Sequence, residues 1–199
     1  MKRTLILTAC AALAGLLLAA AVVLVPRLIA QHSSTTASRI GGPFQLTDGD
    51  GRTVTDASFR GKWMLVYFGY THCPDACPTA LQDIASALDR LGPDERKDVV
   101  PVFITVDPER DTPSIMKDYI SVFGTSFVAL SGSPDAIAQA EKEYRVYAAK
   151  HATRDGGYEM DHSSIIYVMD PQGRFVADFT HESSPEEMAG KLKQLGAWD

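Results

Sequence analysis

The sequence predicts an α/β domain, a central mixed sheet flanked by helices, behind an apolar N-terminal segment. Three observations carry this. Two continuous apolar runs, Lys62–Gly69 and Val99–Val106, have the composition of strands buried on both faces. Helical spacing follows each of them, with Leu81, Ile84, Ala85, Leu88 and Leu91 after the first and Ile115, Tyr119, Ile120 and Phe123 after the second. Two late strands, Ser164–Met169 and Arg174–Phe179, are joined by the tight turn Asp170-Pro171-Gln172-Gly173 and followed by a last helix.

Lys2 and Arg3 precede Leu5–Val25, a run of 21 uncharged residues closed by Pro26-Arg27. A helix needs about 20 such residues to cross the hydrocarbon of a bilayer. Residues 1–30 therefore read as a transmembrane signal anchor with its N-terminus in the cytoplasm. A cleaved signal peptide competes, against a long apolar region with no small-x-small site after it. So does a lipoprotein signal at Cys10, against an apolar run that continues past that cysteine. All three readings export the rest, to the periplasm or an equivalent compartment. Residues 31–40, rich in Ser and Thr, read as a polar linker, and 41–199 as the folded domain.

Within the domain, Phe44–Leu46 and Arg52–Val54 flank Asp48-Gly49-Asp50-Gly51 and predict an N-terminal β-hairpin. The strand Lys62–Gly69 leads to a helix from Pro78, stopped by Gly92-Pro93. After Val99–Val106, Thr112-Pro113 opens a helix that Gly124 ends. Phe127–Leu130 reads as a short strand, Ser133-Pro134 caps a helix to Glu143, and Val146–Lys150 reads as a strand. His151–Asp161 reads as a polar loop. Ser184-Pro185 with Glu187 opens the last helix, to Leu195. A β-α-β unit followed by β-β-α is the thioredoxin-like arrangement.

Three of the 19 basic residues lie before residue 32, so 16 face 25 acidic ones in the exported part, a balance of −9. Such a chain lacks the clustered Lys and Arg that nucleic acid demands. The exported part holds two cysteines, Cys73 and Cys77. Joining residues so close in sequence removes little chain entropy, so the pair is a poor staple and a better chemical group.

Cys73-Pro74-Asp75-Ala76-Cys77-Pro78 lies between the first core strand and its helix, and the spacing puts both thiols on the first helical turn. The positive end of a helix lowers a thiol pKa, which serves a redox pair and a metal pair alike. Thioredoxins place two residues between their cysteines, and here there are three. Peroxidase relatives place Thr three before the reactive Cys, and Thr71 is two before Cys73. Asp161-His162-Ser163-Ser164 enters the strand that packs against the cysteine turn, where thioredoxins carry a cis-proline; here no proline occurs between Pro134 and Pro171. His162 thus offers an imidazole beside two sulfurs. That set suits a soft or borderline ion, copper above all, whereas structural zinc wants a fourth ligand.

The run Tyr70-Thr71-His72-Cys73-Pro74-Asp75-Ala76-Cys77-Pro78 resembles the signature of the Sco/SenC family, copper-binding thioredoxin-like assembly factors of cytochrome c oxidase. Thr105–Pro113, Tyr144-Arg145-Val146-Tyr147 and Asp161–Ser164 match as well. The resemblance implies Cu(I) or Cu(II) held by Cys73, Cys77 and His162, and a reversible Cys73–Cys77 disulfide. It implies a membrane-tethered metallochaperone whose partners are the copper-bearing oxidase subunit and other copper chaperones. The alternative is a thiol-disulfide oxidoreductase or redox sensor acting through Cys73 and Cys77 on that subunit's cysteines, so whether the chain is an enzyme stays open. Other candidates have plainer readings. His72 points elsewhere from a strand end. Met160 shares a face with His162 if extended but fills a gap. Asp75 and Asp107 either steer charge near the metal or are ordinary exposed carboxylates. His32, His151 and His181 are solvated, as is the helix face Glu141-Lys142-Glu143.

Overall fold

A computed structural model of the chain describes residues 40–124 and 126–196. The predicted membrane segment, the linker up to residue 39, Cys10 and His32 lie outside these residues. Among the described residues no helix is long and apolar enough to cross a membrane.

The strands are β1 (Gln45–Asp48), β2 (Thr53–Thr55), β3 (Trp63–Gly69), β4 (Val99–Thr105), β5 (Val128–Ser131), β6 (Ala148–Ala152), β7 (Tyr158–His162), β8 (Ile166–Met169) and β9 (Phe175–Phe179). The helices are α1 (Ala76–Asp89), α2 (Pro93–Arg96), α3 (Pro113–Ile120), α4 (Pro134–Tyr144) and α5 (Pro185–Gly196). Seven strands form one mixed sheet in the order β2-β1-β5-β4-β3-β8-β9. β3 pairs parallel to β4 and antiparallel to β8, and β4 pairs parallel to β5.

The central strands are central because they are apolar on both faces. All seven residues of β3 are buried, and Leu65, Val66 and Phe68 are fully so. Burying each such side chain contributes about 1.5–3 kcal/mol. Pro101 interrupts β4 without breaking the sheet: it pairs with Leu65 of β3, and β5 joins the other flank only from Val102 onward. A proline is tolerated at such a local edge.

Helix starts follow their caps. Thr112 accepts from the Ile115 amide and Ser133 from the Ala136 amide, each with proline as the next residue. Ser184 and Glu187 exchange bonds across the first turn of α5, the predicted capping box. α1 and α5 pack together.

Two expectations need correction. His151–Asp161 is not a loop: it supplies the end of β6, the turn and most of β7. These strands form a separate antiparallel hairpin, with Ala148 opposite His162 and Ala152 opposite Tyr158. Gly156 turns the chain at φ +85°. The cysteines also do not share the first helical turn. Cys73 lies in a turn closed by its amide on the Tyr70 carbonyl (3.3 Å), and the helix begins at Ala76.

Candidate metal centre

Three pieces of chain build the centre. β3 ends at Gly69, whose carbonyl accepts from the Val106 amide. The Tyr70–Cys73 turn then reverses the path, and α1 carries Cys77 back beneath Cys73. Gly69 is required by this return: a β-carbon there would lie 2.6 Å from the Cys77 sulfur and 2.9 Å from the Phe103 ring. The third piece is β7, whose last residue is His162.

The structure brings Cys73, Cys77 and His162 together, with one ligand atom from each within 4.8 Å of the others. His162 Nε2 is 3.4 Å from Cys77 Sγ, and the Cys77 amide donates to Cys73 Sγ at 3.3 Å. Both cysteines are free thiols; Cys77 is fully buried and Cys73 half-buried. His162 Nδ1 is 3.3 Å from the Ser163 carbonyl, which can only accept. The imidazole therefore donates through Nδ1 and turns its Nε2 lone pair to the sulfurs, the arrangement metal-binding histidines use. Tyr67 and Tyr70 hold the ring edge-on, with centroids 6.0 and 5.9 Å away.

The sulfurs are unequal. A hydrogen bond from the Cys77 thiol draws the Cys73 pKa down to about 4, against burial, and the Cys77 amide helps. The same hydrogen bond, with burial, pushes the Cys77 thiol far up. Cys73 is the ready thiolate and Cys77 the buried partner.

Asp111 was not singled out in the sequence, yet it fixes the turn. Fully buried, it accepts from the Thr71 amide (3.0 Å), the Thr71 hydroxyl (2.5 Å) and the Thr105 hydroxyl (2.7 Å). The signal available was its place just after a buried strand, in a run too charged to be buried without partners.

The other candidates fall outside the cluster. His72 is exposed and bonds Thr71. Met160 is half-buried and packs on the core. Asp75 is exposed at the start of α1. Asp107 is not an exposed carboxylate: it is buried, ion-paired to Arg110 and bonded by Tyr158. His151 is exposed, with its Nε2 2.8 Å from an Asp161 carboxylate oxygen, and His181 is exposed. Glu141 departs from the solvated reading, being half-buried, with burial raising its pKa to about 7.

Comparison with known proteins agrees with this geometry. Residues 32–197 match the SCO1/SenC family. The chain belongs to that family. It is 43% identical over 168 residues to the mitochondrial SCO1 homolog 1 of Arabidopsis thaliana, covering 84% of this chain and 50% of that protein. It is 40% identical over 157 residues to an SCO2-like protein of Rickettsia prowazekii, covering 78% and 76%. The chain thus spans half the length of the Arabidopsis SCO1/SenC relative. Among solved structures, copper-bound ScoI of Bradyrhizobium japonicum superposes with a TM-score of 0.72 at 53% identity, covering 78% of this chain and 98% of that one. Copper-bound yeast Sco1 gives 0.74 at 34%, covering 81% and 90%.

Proposed function

We propose that this SCO1/SenC protein is a membrane-tethered copper metallochaperone for assembly of the copper centre of cytochrome c oxidase. Cys73, Cys77 and His162 hold Cu(I) or Cu(II) as cargo. The observation that carries the reading is the convergence of two sulfurs and a correctly oriented imidazole within 4.8 Å. Thiolate and imidazole donors fit copper, and relatives with copper bound support the choice. Residues 1–30 anchor the protein, 31–40 link it, and 41–199 form the domain in the periplasm or an equivalent exported compartment. The partners are the oxidase subunit that receives copper and chaperones that supply it.

A cargo site must release as well as bind. Three protein ligands leave copper open to an incoming thiolate, which displaces one of them. Copper needs both cysteines deprotonated, so loading releases protons and a Cys73–Cys77 disulfide prevents it.

The pairing of a low-pKa Cys73 with a buried Cys77 also favours a second reading. In a thiol-disulfide oxidoreductase, Cys73 is nucleophile and Cys77 resolves. Cells settle the choice. Under the chaperone reading, both Cys73→Ser and His162→Ala lose active oxidase. If His162→Ala assembles active oxidase while Cys73→Ser does not, the oxidoreductase reading replaces it.

A further inference from the structure

The hairpin β6–β7 pairs with no strand of the main sheet. A two-stranded hairpin is marginal by itself, so its position depends on what holds it to the body. Its polar anchorage concentrates on Asp107–Arg110. Tyr158 donates its hydroxyl to Asp107 (2.9 Å), and Arg110 Nη1 donates to the Tyr158 carbonyl (3.0 Å). The Arg110 guanidinium lies 3.7 Å from the Tyr158 ring centroid and 5.7 Å from that of Tyr70, whose ring in turn packs on His162. Among the described residues, Arg110 Nη2 is buried with no hydrogen-bond partner, and its guanidinium lies against aromatic rings. Lys150 of β6 adds an ion pair to Glu109 at 2.7 Å, and its ammonium lies 4.1 Å from the Tyr158 ring centroid.

The same segment holds the cysteine turn. Asp111 takes the Thr71 amide and hydroxyl, and its own amide donates to the Asp107 carbonyl at 2.9 Å. One loop therefore grips both halves of the centre, the sulfur half through Asp111 and the imidazole half through Asp107 and Arg110.

We propose that Arg110 and Tyr158 form a latch that positions His162 over the two sulfurs. Arg110 touches no ligand; it is a positioning residue that acts through the arm. The consequence for copper rests on the reading given above, but the latch exists without metal and is tested without it.

The experiment compares reduced, metal-free wild type with Arg110→Ala, Arg110→Lys and Tyr158→Leu by hydrogen exchange of residues 158–163. Copper titrations of the same proteins, each also combined with His162→Ala, follow. Amide exchange in the hairpin should rise at least tenfold in Arg110→Ala and Tyr158→Leu while exchange in β3 and β4 stays at the wild-type rate. Arg110→Lys, which keeps charge but loses the planar contact, should fall between. Copper affinity should drop about tenfold to 100-fold in Arg110→Ala, the range for losing an outer support of a metal ligand. In the His162→Ala background that drop should vanish. Tyr158→Leu leaves the buried Asp107 paired with Arg110, so it decides the matter if Arg110→Ala does not fold. Unchanged hairpin exchange in a folded variant overturns the latch. So does a loss of affinity of equal size with and without His162. If wild type and His162→Ala bind copper equally, the copper site fails, and the metal-free exchange still decides the latch.

Discussion

The turn that carries the cysteines grows out of β3, whose seven residues are all buried, while His162 ends a hairpin whose β6 finishes in three exposed residues. Cys77 is packed into the core beneath Gly69; His162 is held by two aromatic edges, one carbonyl and the arm it rides on. In the sulfur half, Cys77 is part of the core and Cys73 sits in a turn tied to the buried Asp111. The imidazole half depends on a few local contacts.

Substitutions on the two sides should therefore fail differently. On the β3 side, Phe68→Ala removes a fully buried ring that packs on Tyr144 and Tyr167. It should cost about 3–5 kcal/mol of unfolding free energy, read by urea denaturation. A cost under about 1 kcal/mol would mean that β3 is not the rigid half. Next comes the turn itself. Asp111→Ala leaves the Thr71 amide and the buried Thr105 hydroxyl without their acceptor, and should cost about 1–3 kcal/mol. Cys73 should then lose its distinct reactivity in an alkylation assay, and unchanged reactivity would show that the turn holds without Asp111.

The inequality of the sulfurs gives a pH test. With a folded pKa near 4 against an ordinary 9, Cys73 binds fewer protons in the folded than in the unfolded state between those values. Its contribution to stability is complete above pH 9 and fades as pH falls through 4. Stability should rise with pH across that window, with a smaller slope in Cys73→Ser. Cys77, shifted upward, acts oppositely, so stability should fall above pH 9 as the unfolded thiol ionises. In the same window Cys73 alkylation should be nearly independent of pH down to about 5, where an ordinary thiol slows tenfold per unit. A tenfold loss per unit below pH 9 would refute the thiolate assignment. The smallest effect belongs to His72. Exposed and bonded to Thr71, it should change stability by less than about 0.5 kcal/mol and leave copper affinity alone when replaced by Ala.

What the sequence showed follows the same division. β3, β4 and the capped helices were legible because continuous apolar runs and Ser/Thr-Pro starts are strong local signals. The cysteine turn and His162 were legible as a set because the donors are chemically unusual and few. Of the arm, the first strand was legible in Val146–Lys150, but β7 was missed because it buries little: an inward Tyr158, Met160 and His162 alternate with exposed Glu159 and Asp161, a period-two pattern hidden in polar residues. Arg110 was missed, and Asp107 was singled out but not seen as buried, because their partner Tyr158 lies about 50 positions away in the part of the hairpin that reads as a loop. Burial of a carboxylate beside a guanidinium is a tertiary fact that no local pattern announces.

If sulfur and imidazole act as one copper site, removing the imidazole must weaken copper binding. Titration of the reduced wild-type protein and of His162→Ala with copper, in competition with a chelator of known affinity, tests it directly. Expected are one copper per wild-type chain, affinity lower by at least 100-fold in His162→Ala, and a Cys73–Cys77 disulfide that still forms in both proteins. Equal copper affinity in the two proteins would contradict it.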